Sequence, residues 1–266
     1  MLGKLIKYEF KATGRTFLPL YGAILIVALV QRFFGRSSQE LFEELNRIGD
    51  FATIALVALF MALGVITLVV TIQRFQKSLL SDEGYLMFTL PVKTRSLIAS
   101  KMIVATTWVI LSGVVGMITF AILFVNKQFL LDIYAMVPEL PAFLVMLKEI
   151  LLDDAGRQGA VVILQFLIAG FLSYIQFVLV IYASLAIGQF PKFEKHRTAA
   201  SFIAFFLITI GMNWIIGTVG FQLSPDQVFT LNPNVLLFLA NGIGVGIIVG
   251  LFEVTNYILN KHLNLE

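Results

Sequence analysis

Five stretches of this chain carry no Asp, Glu, Lys or Arg over a length that can cross a bilayer: residues 51–73, 102–126, 158–191, 198–225 and 227–252. A sixth, shorter stretch, 16–31, continues past Arg32 to Phe34. About 20 mostly apolar residues in a helix cover the hydrocarbon thickness of a membrane, so the pattern predicts six spans. Arg32 has to reach the interface from near the end of the first, as long basic side chains do. A water-soluble bundle with six such helices at its centre needs a comparable number of polar helices around them. The composition leaves no room for those, because 59% of the residues are hydrophobic and only 13% charged, with mean hydropathy +0.92. Soluble domains run at about 45–50% apolar and about 25% charged. The sequence therefore predicts an all-α, polytopic membrane protein. It reads as one transmembrane domain over 1–266, with spans at about 16–34, 51–73, 102–126, 159–188, 199–219 and 234–257.

Basic residues concentrate at the cytoplasmic ends of spans. Lys4, Lys7, Lys11, Arg15, Arg74, Lys77, Lys93, Arg95, Lys101, Lys192, Lys195, Arg197 and Lys261 fall on one side, thirteen against the six (Arg32, Arg36, Arg47, Lys127, Lys148, Arg157) on the other. Both termini are accordingly expected in the cytoplasm. The pI near 9.1 reflects this asymmetry and suits an anionic lipid surface; no basic stripe interleaved with exposed aromatics points to nucleic acid. The first apolar run has a long basic segment before it and no A-x-A-like site after it, so it is expected to remain as a span and not to be cleaved. With no Cys in the chain, disulfides, thiolate metal sites and cysteine nucleophiles are excluded together.

Residues 2–15 place Leu2, Leu5, Ile6 and Phe10 on one helical face with Lys4, Lys7, Lys11 and Arg15 around it, the pattern of a short interfacial helix. Pro19 is expected in the first turn of the span that follows, where its missing donor costs little. Outside, Ser37-Ser38-Gln39-Glu40 reads as a capping box for a short helix bearing Leu41, Leu45 and Ile48 and stopped by Gly49. In the longer outer segment 127–157, Leu140, Phe143, Leu144, Leu147 and Leu151 recur at helical spacing after Pro138, which predicts a second interfacial helix.

The connection between spans two and three, 73–101, is too long for a turn. Ser81 can cap a helix whose first turn carries Asp82 and Glu83 against the helix dipole. Tyr85, Leu86, Phe88 and Leu90 follow, Pro91 ends it, and Thr94 opens the next helix. An aromatic amphipathic helix in this position fits docking into a groove of a partner, and equally packing on headgroups. The next connection, 189–197, is short and basic, which fits a membrane anchor better than a docking point.

Within the spans, Gln165 and Gln176 are eleven residues apart and so nearly share a face. With Asn213 they are candidates to line a translocation path, although amides also join helices to one another; Asn241 reads the same way. Glu253 is the one carboxylate expected inside a span. Its nearness to Lys261 fits a snorkelling or helix-pairing acid better than a proton relay. Gly242, Gly246 and Gly250 form a smooth stripe on the last span for close helix approach, within the chain or between subunits. No G-x-x-x-x-G-K-[ST], H-E-x-x-H or G-x-S-x-G motif occurs, and both His, His196 and His262, sit on basic connections. Intrinsic catalysis is not expected, nor a metal or cofactor on this chain.

The opening Met1-Leu2-Gly3-Lys4-Leu5-Ile6-Lys7-Tyr8-Glu9-Phe10-Lys11, the segment Ser81-Asp82-Glu83-Gly84-Tyr85-Leu86-Met87-Phe88-Thr89-Leu90-Pro91, the six-span layout and the closing Lys261-His262-Leu263-Asn264-Leu265-Glu266 together resemble the permease subunits of bacterial ATP-binding cassette transporters of the type 2 exporter class. The resemblance runs the length of the chain and is most specific at 82–91. It implies an elbow helix at 2–15 and a coupling helix at about 82–90. It further implies a second permease subunit, as homodimer or heterodimer, in the bacterial cytoplasmic membrane. Separate ATPase chains would hold the ATP and Mg. Asp82, Glu83, Gly84, Tyr85, Phe88 and Pro91 are then the candidate ATPase-coupling residues. The long outer segment, together with only residues 221–234 for a hairpin between spans five and six, departs from polysaccharide-type members and favours a peptide or small amphiphile as cargo. An ion-driven secondary transporter, which needs mid-membrane ionisable residues or broken helices, and a non-transporting immunity or scaffold protein are the competing readings.

Overall fold

The computed structural model describes residues 2–34, 43–81, 84, 87, 89, 92–125, 127–221 and 233–261. Eight α-helices and two short 3-10 segments account for almost all of them: α1 (Leu2–Phe34), α2 (Glu43–Leu79), α3 (Thr94–Phe124), α4 (Lys127–Met136), α5 (Leu140–Leu152), α6 (Asp154–Ile187), α7 (Arg197–Phe221) and α8 (Pro233–Lys261). The 3-10 turns are Val137–Glu139 and Pro191–His196. Among the described residues six helices, α1, α2, α3, α6, α7 and α8, are long and apolar enough to cross a membrane. Their outward surface is itself apolar: Phe33, Phe51, Met61, Phe120, Leu167, Trp214 and Phe238 are all largely exposed. Such a surface is unfavourable in water and suits hydrocarbon, where helices satisfy their own backbone groups. The chain is an all-α polytopic membrane protein.

Three local expectations change. Residues 2–15 and the first span are one unbroken helix of 33 residues, with Pro19 inside it. Such a helix is about 50 Å long against a hydrocarbon core of about 30 Å, so its first turns extend beyond the core as a continuation of the span. Proline removes the bond to the carbonyl four residues earlier; that carbonyl belongs to Arg15, an exposed residue at the span's end, where water can replace the bond. Second, Gly49 does not end a short outer helix. It is buried inside α2, and Leu45 and Ile48 belong to the first turns of the same helix as the second span. A glycine stops a helix by adopting positive φ, and no described residue does so. The capping box at 37–40 lies outside the described residues. Third, the outer segment holds two helices, α4 before the proline-bounded turn and α5 after it. The side chains of Leu140, Phe143, Leu144, Leu147 and Leu151 lie outside the described ones.

The chain forms two compact units. One comprises Gly3–Thr71 and Ile103–Leu144. Its core is built on Trp108 of α3, which stacks on Phe17 of α1 (centroids 4.6 Å apart, 11° between planes) and meets Phe10 and Tyr21 at 5.6 and 6.0 Å. Ile24, Leu63, Val104 and Val115 complete the cluster. Gly14 faces the indole, where a Cβ would stand in ordinary contact 3.6 Å from the ring. The indole N–H donates to Thr13 Oγ1 at 2.7 Å, and that hydroxyl donates to the Glu9 carbonyl at 2.8 Å. Tyr21 Oη shares a 2.8 Å bond with Ser112 and lies 3.1 Å from the Trp108 carbonyl. At the other end of the same two helices, the Arg32 guanidinium donates to the carbonyl of Ile122, one of the last four carbonyls of α3, which lack helical partners. Arg32 thus finds a protein partner where the sequence predicted only an escape to the interface.

The other unit contains Ile72–Met102 and Val145–Glu266. Here α6 packs along α8 and against α7. Phe75, near the end of α2, stacks on Tyr182 of α6 with centroids 4.1 Å apart and 12° between planes, both fully buried. Between α6 and α7, Gly188 is required sterically: a Cβ there would overlap the Ser201 hydroxyl and come within 2.7 Å of the Arg197 carbonyl oxygen.

Candidate functional site

The end of α2 leads directly into the segment singled out as a docking element. The Ser81 hydroxyl turns back to the Lys77 carbonyl at 2.6 Å, and the Gly84 N–H donates to the Ser81 carbonyl at 2.6 Å. Ser81 therefore gives its hydroxyl proton to the Lys77 carbonyl, an orphan of the last turn of the outgoing helix within reach of its side chain; the cap expected from it on the next helix involves residues outside the described ones. Gly84, Met87 and Thr89 are helical. Asp82, Glu83, Tyr85, Phe88 and Pro91 lie outside the described residues. A Cβ on Gly84 would sit 2.6 Å from the Leu79 carbonyl oxygen and 2.8 Å from its carbon. Contact with backbone cannot be relieved by a side-chain rotation, so the reversal of the chain after α2 itself demands glycine here.

Immediately beyond this segment the first turn of α3 is fastened to the last turns of α8. The Thr94 hydroxyl donates to Asn260 Oδ1 at 2.6 Å, Asn260 Nδ2 to Asn256 Oδ1 at 3.0 Å, and Asn256 Nδ2 to Glu253 Oε2 at 3.4 Å. Arg95 Nη2 completes the ring, donating to the same Glu253 oxygen at 2.9 Å. Every bond on the α8 side runs toward the carboxylate, so the amides are oriented by the one negative charge. Glu253, Asn256 and Asn260 share a face at i, i+3 and i+7. The Glu253 and Arg95 side chains keep 45% and 62% of their exposure, so this ion pair lies on the surface at the ends of the two helices and not in their packed interior. The partner of Glu253 comes from a helix 158 residues away in sequence. No local pattern shows that, although charge counting put Arg95 and the end of the last span at the same membrane face.

Of the amides proposed to line a path, Gln176 reaches from α6 to α8 and Asn241 reaches from α8 to α6. Gln176 Nε2 donates to the Gly244 carbonyl at 2.9 Å, and Asn241 Nδ2 donates to the Gln165 backbone carbonyl at 3.3 Å. Both bonds tie α6 to α8, as interhelical amides in a membrane do. The Gln165 side-chain oxygen is buried with no hydrogen-bond partner among the described residues. Asn213 is exposed and, among the described residues, bonds along its own helix, to the Thr209 carbonyl at 2.9 Å. The glycine that faces α6 is Gly244, where a Cβ would stand 3.1 Å from Gln176 Nε2. Gly242, Gly246 and Gly250 look into open space, with nothing within 4 Å of a Cβ. The stripe lies off the α6 contact because residues two apart on a helix point about 200° away from each other.

Among the described residues no three His, Cys, Asp or Glu side chains group as metal ligands do. Comparison with protein-family models, with curated proteins and with solved structures finds no match to this chain.

Proposed function

We propose that this protein is the membrane-spanning subunit of an ATP-driven exporter. It pairs with a second permease subunit in a bacterial cytoplasmic membrane and receives its driving force from a separate ATPase chain. The observation that carries this reading is the connection between α2 and α3. It is a turn built on Gly84, followed by helical backbone at Gly84, Met87 and Thr89, in a segment whose residues resemble the coupling helix of type 2 exporters. A helical element between two spans can accept a push from a partner's groove. The ring of bonds from Thr94 and Arg95 to α8 gives such a push a second helix to act on. Export of a peptide or small amphiphile, with both termini cytoplasmic, is the form of the reading that the long outer segment and the charge asymmetry favour.

The ion-driven alternative gains little from Glu253, whose carboxylate is already held by Arg95 at a half-exposed helix end. The decisive experiment is gentle purification of the full chain from its native membrane, with mass spectrometry of what stays bound. A soluble partner bearing a G-x-x-x-x-G-K-[ST] loop, lost on Glu83→Ala with Tyr85→Ala, is the expected result. Recovery of no ATPase after crosslinking, or an ATPase whose binding and activity ignore those substitutions, refutes the proposal.

A further inference from the structure

The four basic residues of the first helix occupy a single stripe. At 100° per residue, Lys4, Lys7, Lys11 and Arg15 fall within an arc of about 80°, and all four are exposed. Among the described residues none of them makes a hydrogen bond or ion pair. Glu9, Thr13 and Phe17 hold the buried side of the same helix.

The basic arc continues upward into hydrocarbon. Leu18 and Leu29 lie on it and Ile26 at its edge, and these side chains are exposed by 64, 43 and 62%. Because α1 is unbroken from Leu2 to Phe34, a lipid whose chains lie against Leu18, Ile26 and Leu29 has its headgroup beside Arg15 and Lys11. We infer that this face of α1 is a docking strip for an anionic phospholipid, with acyl chains on the apolar half and phosphate on Arg15 and Lys11. Lys7 and Lys4 lie farther below and act through the surface potential alone. Two observations select lipid over an acidic protein. The charges are continuous with a lipid-facing surface, and the two residues nearest the span stand within about 8 Å of its start along the axis, the depth of a headgroup layer.

The grading along the strip makes the inference testable. The full chain is reconstituted in phosphatidylcholine membranes containing a minority of phosphatidylglycerol, released into mild detergent, and its retained lipids are counted by native mass spectrometry. Retained phosphatidylglycerol is expected in excess of its share of the membrane. Lys11→Gln and Arg15→Gln are each expected to lower that excess about fivefold, the equivalent of about 1 kcal/mol for a basic side chain at an anionic surface. Lys4→Gln and Lys7→Gln lower it less, and Lys11→Arg with Arg15→Lys preserves it. All these positions are exposed, so helicity by circular dichroism should match the parent and confirm folding. Unchanged phosphatidylglycerol retention in the fourfold Gln variant overturns the inference, even if an acidic protein is found on the strip. Loss confined to the Lys4 and Lys7 variants overturns it as well.

Discussion

Replacing Trp108 with phenylalanine takes one donor away from Thr13 while leaving a ring against Phe17. Thr13 still gives its proton to the Glu9 carbonyl at 2.8 Å, so no donor is stranded; besides the packing lost with the indole's second ring, the cost is the net worth of one hydrogen bond between helices. In membrane proteins that is about 0.6 kcal/mol on average and about 1.7 at most. Trp108→Ala goes much further. It empties the site between Phe10, Phe17 and Tyr21, whose ring contacts with the indole are worth about 0.5–1.5 kcal/mol each beyond burial, and it leaves a cavity whose lining loses its dispersion partners. A total of about 3–5 kcal/mol is expected, as for other buried aromatic truncations. The assay is reversible unfolding in bicelles followed by helicity, on the parent, Trp108→Phe, Thr13→Val and the double variant. A coupling energy near 1 kcal/mol is expected. Additivity within about 0.3 kcal/mol, the behaviour of independent sites, would show that the Trp108–Thr13 bond contributes nothing to holding α1 against α3.

Gly84→Ala forces a Cβ to 2.6 Å from backbone and should destabilise the chain by about 1–3 kcal/mol, as overpacking does; an unchanged melting temperature would contradict the turn described after α2. Gln176→Leu removes the bond to Gly244 and should cost about 0.6–1.7 kcal/mol in the same unfolding assay, whereas Asn213→Leu, which loses only a contact within its own helix, should stay within about 0.5 kcal/mol of the parent. For Arg95 and Glu253, a cycle through Arg95→Gln and Glu253→Gln should give about 0.2–1 kcal/mol, as for exposed pairs, shrinking with added salt; a salt-independent value would mean the pair is dry. Gly246→Leu meets open space and should leave the stability of the isolated chain within about 0.5 kcal/mol, so loss of crosslinked dimer in that variant would locate a subunit contact on the stripe.

The number of spans and the helical class were legible because hydrocarbon imposes a requirement that is additive along the chain. Each run of about 20 uncharged residues qualifies by itself, and partners are not needed to see it. Helix ends were less legible. Gly49 and Pro19 are breakers by propensity, yet α2 and α1 run through them, because each sits near the end of a span whose long run of backbone bonds outweighs the local cost of about 1–3 kcal/mol. Pairings were not legible at all. Trp108 with Thr13, Gln176 with the Gly244 carbonyl, and Arg95 with Glu253 join residues 95, 68 and 158 positions apart. Each depends on which helix is neighbour to which and on its rotation about its axis. Lipid rewards any apolar face equally, so composition cannot choose among those arrangements. The sequence determined by itself that the chain crosses a membrane six times, since hydrophobicity is a property of each segment alone. Only the tertiary structure decided which glycine faces a neighbour and which charge finds a partner, since close packing and hydrogen bonding act over a few ångströms between segments the sequence keeps far apart.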